Sequence, residues 1–158
     1  MNLKFTLAYD GSLFQGSQKQ PNGMTVEDKL LKAFKKINIE TNIVLSGRTD
    51  KEVHATGQVF NCIVPDYWID FYKLKDILNK NLPSSIKILR IQKVKDDFHS
   101  RFHAKKRVYR YLITTKPTTP FNNKFITHIK NVDEELLQKA IKEFIGVYDF
   151  KYFHKTGS

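Results

Sequence analysis

Arg48, Asp50, Lys51, Glu52 and His54 fall within seven consecutive positions of the stretch LSGRTDKEVHATGQVF, residues 45–60. Apolar residues flank the cluster, Ile43-Val44-Leu45 on one side and the run from Val59 on the other. A turn between two core strands needs Gly, Asn, Asp or Pro for its backbone, not a concentration of ionisable side chains. A carboxylate such as that of Asp50 can act as a nucleophile or a base. Arg48, two positions earlier, carries the planar guanidinium suited to gripping a phosphate or stacking on a base. The plainer account is a turn aspartate that satisfies its own backbone, beside a surface arginine. Residue types alone leave both accounts open.

A second candidate is Lys105-Lys106-Arg107-Val108-Tyr109-Arg110-Tyr111. On a strand, Arg107, Tyr109 and Tyr111 point one way and Val108 and Leu112 the other. Aromatics flanked by arginines suit base stacking beside a phosphate backbone. An edge strand with its tyrosines in a core and its cations in water fits the same letters. His99 and His103, in FHSRFH, have the i, i+4 spacing that can hold zinc on a helix. No Glu follows the first His and no Cys or carboxylate cluster supplies further ligands, so no metal is expected. The single Cys62, inside an apolar run, has no partner for an internal disulfide and reads as a small core residue.

These groups need elements to position them. With 158 residues and 41% hydrophobic content the chain can bury a core. Leu3, Phe5, Leu7 and Tyr9 alternate with Lys4, Thr6 and Ala8 as a half-buried strand does, and Asp10-Gly11-Ser12 ends it. Gly16 to Gly23 reads as loop. Thr25 with Asp28 predicts a capped helix whose inner side carries Val26, Leu30, Leu31, Phe34 and Ile37. Lys29, Lys32 and Lys36 form its opposite, solvated side. Strands are expected at 42–46 and 58–64, a helix over 70–80 closed by Leu82-Pro83, and a strand through Ile86, Ile88, Ile91 and Val94. The resulting β-α-β-β-α-β order predicts an α+β fold with a ferredoxin-like first half built on an antiparallel sheet. A new start follows, with a strand over Arg107–Thr115. A helix capped by Asp133 then carries Leu136, Leu137, Ala140, Ile141, Phe144 and Ile145 on its core side, and Gly146 closes it. Residues 1–103 are thus expected to form one ferredoxin-like domain, and 104–158 an incomplete second half of the same type.

The formal charge is +11, from 27 Lys and Arg against 16 Asp and Glu. Such a field suits a polyanion, nucleic acid above all. A chain rich in Lys, Asn, Ile and Phe also follows from base composition alone, so charge does not decide the matter. No apolar run approaches the roughly 20 residues of a membrane span. The strand-like Met1–Thr6 lacks the apolar block of a signal peptide, so a cytoplasmic location is expected.

Taken together, these motifs resemble the tRNA pseudouridine synthase A family. The likeness runs through Tyr9-Asp10-Gly11 with Phe14, Gly16 and Gln18, then Gly47-Arg48-Thr49-Asp50 with Val53-His54-Ala55 and Gly57-Gln58-Val59. It continues through Asn81-Leu82-Pro83, Asp97-Phe98-His99 with Arg101-Phe102, Arg107 with Tyr109-Arg110-Tyr111, and Gly146 with Asp149-Phe150 and Phe153. The resemblance implies an isomerase without metal or cofactor that converts uridine to pseudouridine in the anticodon stem-loop of tRNA, at positions 38 to 40 in tRNA convention. It implies two ferredoxin-like halves sharing a sheet, with the cleft between them, and a homodimer.

By the same resemblance Asp50 is the catalytic aspartate and Tyr109 stacks on the target base. Arg48 helps extrude the nucleotide, and Arg107 joins the substrate-binding residues. The chain departs from the family pattern at Lys51-Glu52, where a small pair such as Ala-Gly is usual, and at Ser17, where an aromatic is common. It is also expected to lack the C-terminal part, which in the family supplies a cation to the aspartate and much of the dimer surface. A homologue that only binds RNA is the alternative.

Overall fold

The computed structural model of the chain describes residues 1–21 and 23–153. Asn22, within the loop expected from Gly16 to Gly23, lies outside them, as do the last five residues of the expected second half. The chain is α+β and divides into two compact units, Met1–Tyr109 and Arg110–Ser158.

In the first unit, β1 (Asn2–Tyr9), β2 (Val44–Leu45), β3 (Ala55–Ile63) and β4 (Ile86–Lys93) form one sheet in the order β2-β3-β1-β4. Every neighbouring pair is antiparallel. The period-two pattern of β1 does what alternation requires: Leu3, Phe5 and Leu7 are wholly buried and Tyr9 nearly so. Phe5 sits opposite Phe60 on β3 and Ile91 on β4. The Phe5 and Phe60 rings stack at 4.5 Å, and Phe34 meets both edge-on at 5.6 and 6.4 Å. Burying side chains of this size contributes roughly 1.5–3 kcal/mol each.

Phe34 belongs to α1 (Val26–Lys35), which starts as the sequence predicts. The Thr25 hydroxyl accepts the Asp28 N–H and the Asp28 carboxylate accepts the Thr25 N–H, both at 3.2 Å. Helix α2 (Phe71–Asn81) is capped by Asp70, buries Leu74 and Leu78, and ends at Leu82. Its Asn79 amide donates to the Ile88 carbonyl at 3.0 Å and accepts the Ile88 N–H at 2.8 Å. That occupies backbone groups on the outer side of edge strand β4.

Three segments differ from expectation here. The strand expected at 42–46 is only Val44–Leu45, and β3 begins at Ala55 and not at 58. The strand expected over Arg107–Thr115 is present only as β5 (Ile113–Thr114), paired in parallel with β6 (Thr127–His128). Alternation marks a face, but a strand also needs a neighbour for its N–H and C=O groups, and only two residues of this stretch find one.

In the second unit, α3 (Glu134–Lys142) begins at Asp133, whose carboxylate accepts the Leu136 N–H at 2.9 Å. Its apolar side, however, is not a core. No residue of α3 is buried, and Leu136, Ile141, Phe144 and Ile145 are between 54% and 73% exposed. The periodicity placed the apolar residues on one face correctly, but two strands of two residues offer no surface wide enough to cover it. The helix ends at Lys142 with Glu143 as its C-cap, three residues before Gly146.

Candidate active site

The crowded loop is held from three directions. Beneath it, the Tyr9 hydroxyl and Thr49 Oγ1 are 2.8 Å apart. Burial pushes the Tyr9 phenol above its usual value, and its bonds to Thr49 and Gln58 pull the other way. Tyr109 adds a smaller electrostatic push in the same direction as burial.

On one flank, the 10–17 segment grips the loop. Ser17, wholly buried, donates its N–H to the Thr49 carbonyl at 3.0 Å and accepts the Thr49 N–H on its hydroxyl at 2.8 Å. The Nδ1 of His54 lies 3.1 Å from both the Gly11 N–H and an Asp10 carboxylate oxygen. It accepts from the first when unprotonated and donates to the second when protonated. The approach is so close that a Cβ on Gly11 would sit 2.1 Å from the Val53 carbonyl oxygen. At Gly16, with φ +101°, a Cβ would lie 2.9 Å from the Thr49 oxygen. No larger residue fits either place without moving the loop.

On the other flank lies the segment 98–107. Two asparagines in the apolar strands pin it: Asn2 Nδ2 donates to the Phe98 carbonyl at 2.9 Å, and Asn61 Oδ1 accepts the Ser100 N–H at 2.8 Å. Asn61 Nδ2 bonds Asn2 Oδ1 at 3.0 Å, so this polar pair, buried in the sheet, is satisfied. The Ser100 hydroxyl donates to the Val44 carbonyl, and Arg107 donates to the Ser46 carbonyl at 2.7 Å. The free edge of β2 is thereby covered by side chains.

Between these walls is a cleft of about 540 Å³. Arg48, Arg107 and Tyr109 line it together with Arg101, Phe102 and His99. Three of the four residues predicted from sequence are thus brought to one place. Asp50 does not line the cleft; it stands exposed on the same loop, two residues from Arg48. Arg107, which also lines the cleft, braces the loop through its Nη2 bond to the Ser46 carbonyl. Among the described residues no group of three or more His, Cys, Asp or Glu is placed to hold a metal. No helix among them is long and apolar enough to cross a membrane.

Residues 6–103 match the sequence model of the tRNA pseudouridine synthase family. The chain belongs to that family. It is 40% identical over 154 residues to tRNA pseudouridine synthase A of Helicobacter pylori strain HPAG1, covering 98% of this chain and 62% of that relative. With the protein of the same name from Wolinella succinogenes it shares 38% over 152 residues, 96% of this chain and 60% of the relative. With the one from Streptococcus agalactiae it shares 36% over 159 residues, 98% and 61% respectively. The chain spans about three fifths of the length of these curated relatives.

Within this synthase-family chain the two departures acquire physical content. Glu52 takes φ +67°, a left-handed conformation that disfavours any side chain, which is why a glycine suits the position. Its 3.5 Å contact with Lys51 joins two exposed groups and contributes little. Ser17 proves to be a loop anchor, with a hydroxyl doing what no aromatic ring could. Sequence reasoning missed Asn2, Asn61 and Ser100, and marked Ser17 only as a departure, without its anchoring role. The signal available for Asn61 was its polar side chain inside the run VFNCIV; for Ser17 and Ser100 no local signal exists, since their partners are distant in sequence.

Proposed function

We propose that this chain acts in tRNA pseudouridine formation, with Asp50 as the catalytic carboxylate. The observation that carries the reading is the braced loop. Thr49 is locked on both its N–H and its C=O, so the adjacent Asp50 is presented to solvent on a fixed backbone beside a cationic, aromatic cleft.

The chemistry has to break the bond from C1′ to N1 of uracil and join C1′ to C5, with C5 losing a proton and N1 gaining one. Product and substrate are isomers, so the net change needs no cofactor. Two routes suit a carboxylate: Asp50 bonds C1′ directly, or it removes the neighbouring C2′ proton to leave a glycal. Tyr109 holds the detached uracil by stacking while it turns. Arg48 helps draw the nucleotide out of the anticodon stem-loop at positions 38 to 40, because the target atoms are inaccessible within a stack. The order β2-β3-β1-β4 supports reading the first unit as a ferredoxin-like half. The boundary near residue 103 and the cytoplasmic location expected from the sequence, and the homodimer that the family resemblance implies, are part of this proposal.

Incubating the chain with unmodified tRNA and mapping pseudouridine by chemical labelling tests the assignment. Replacing Asp50 by Ala is expected to slow the reaction by at least 10²- to 10⁴-fold, roughly the range of a catalytic acid or base. Equal rates for parent and variant would remove Asp50 from the mechanism.

A second reading has its own support, because Asp50 stands outside the cleft that Tyr109 and the arginines line. On that reading the chain binds tRNA without turnover. It predicts salt-sensitive binding that replacement of Asp50 leaves unchanged.

A further inference from the structure

Phe102 is an exposed aromatic in the cleft, and its setting is built. It is 75% exposed, so the ring is open to a ligand in the cleft it lines. Its ring stacks on His99, with centroids 4.2 Å apart and planes 24° from parallel. The pair is locked locally. The Phe102 N–H donates to Nδ1 of His99 at 3.3 Å, which leaves Nε2 to carry the imidazole proton. The His99 N–H donates to Nδ1 of His103 at 3.1 Å, and the His103 ring packs against Phe98 at 5.7 Å. The whole turn is fixed to the sheet through Asn2, Asn61 and Ser100.

The charges around this stack favour an anion. Arg101 and Arg48 are exposed and make no side-chain bond to the protein among the described residues, whereas Arg107 is occupied by carbonyls. The one carboxylate lining the cleft, Glu27, already accepts the Lys19 N–H at 2.8 Å. A flat backed ring beside uncommitted guanidinium groups matches an unpaired nucleotide, with the base on the ring and the phosphate on the cation.

We propose that His99 and Phe102 form a stacking platform for a second unpaired base, a neighbour of the uridine being isomerised, with Arg101 holding the phosphate between them. This rests on the reading of the chain as a tRNA-acting protein. It adds a subsite that selects RNA whose loop nucleotides are splayed from their stack.

The test is binding of an unmodified anticodon stem-loop RNA to the chain, followed by fluorescence anisotropy at two salt concentrations. Phe102→Ala and Phe102→Leu are both expected to raise Kd by about 5- to 150-fold, the worth of one stacked base, with the salt slope unchanged. Phe102→Trp should restore parent affinity. Arg101→Gln should instead reduce the salt slope, by about one phosphate contact. Making the nucleotide beside the target uridine abasic should abolish the penalty of Phe102→Ala.

If Phe102→Leu binds as tightly as the parent, the ring is an apolar contact and the platform is wrong. If Phe102→Ala has no effect while Arg101→Gln still weakens binding, the platform fails and the tRNA reading survives. A parent chain that binds no stem-loop at all overturns both. Catalysis by Asp50 is read separately, from pseudouridine mapping.

Discussion

Helix α1 starts at a threonine cap and α3 at an aspartate cap, and both carry their apolar residues on one face. In α1 that face disappears into the sheet, where Val26, Leu30, Ala33 and Phe34 are buried. In α3 nothing is buried. The two helices share their local determinants, so the difference lies in what each unit provides to pack against. The first offers four strands with a stacked phenylalanine pair at the centre; the second offers two strands of two residues. Capping and periodicity decide where a helix forms, and only non-local surface decides whether it stabilises a fold.

The largest test of this contrast is paired truncation. Phe34→Ala should destabilise the first unit by about 3–5 kcal/mol in urea unfolding, since it empties a site touching two other rings. Ile141→Ala should stay within about 0.5 kcal/mol. Comparable losses at both positions would mean that the face of α3 is buried in solution.

A pH arm addresses the core of the first unit alone. Burial pushes the Cys62 thiol up to about 12. The folded state therefore keeps this proton after the unfolded chain has lost it near pH 9, so stability is full below that pH and drains as pH climbs towards about 12. Between about pH 8 and 10.5 this group should remove on the order of 2 kcal/mol, and Cys62→Ala should be spared that share. Urea midpoints for both chains at the two pH values measure it. An equal alkaline loss in both would show that the thiol is not buried.

The smallest effect belongs to the loop. Glu52→Gly should raise stability by about 1 kcal/mol, because glycine takes φ +67° without the clash a Cβ meets. A thermal melt that fell would indicate that the glutamate makes a contact worth more than its backbone strain.

Much of the first unit was legible from the chain. Alternation located β1, the Thr25–Asp28 pair located the start of α1, and Leu82-Pro83 located the end of α2, because each depends on neighbours in sequence. The second unit was read less well for the same reason. The strand pattern that runs into it from Arg107 and Tyr109, at the end of the first unit, is evident in the letters, yet no ladder forms until Ile113. Of the site, the family motif named Arg48, Asp50, Arg107 and Tyr109, and three of these share the cleft. That Arg107 also braces Ser46 was not legible, since the bond spans 61 positions.

The chain of letters by itself determined the residue types of the loop, and the caps and apolar sides of α1 and α3. Those depend on bonds and spacings within a few residues. Only the tertiary structure decided that Ser17 and Tyr9 clamp Thr49, that Asn2 and Asn61 pin the His99–Phe102 turn, and that Asp50 stands outside the cleft its neighbours line. Each of these is a contact across the sheet or between loops, set by strand register and chain crossing, and neither quantity is written in local sequence.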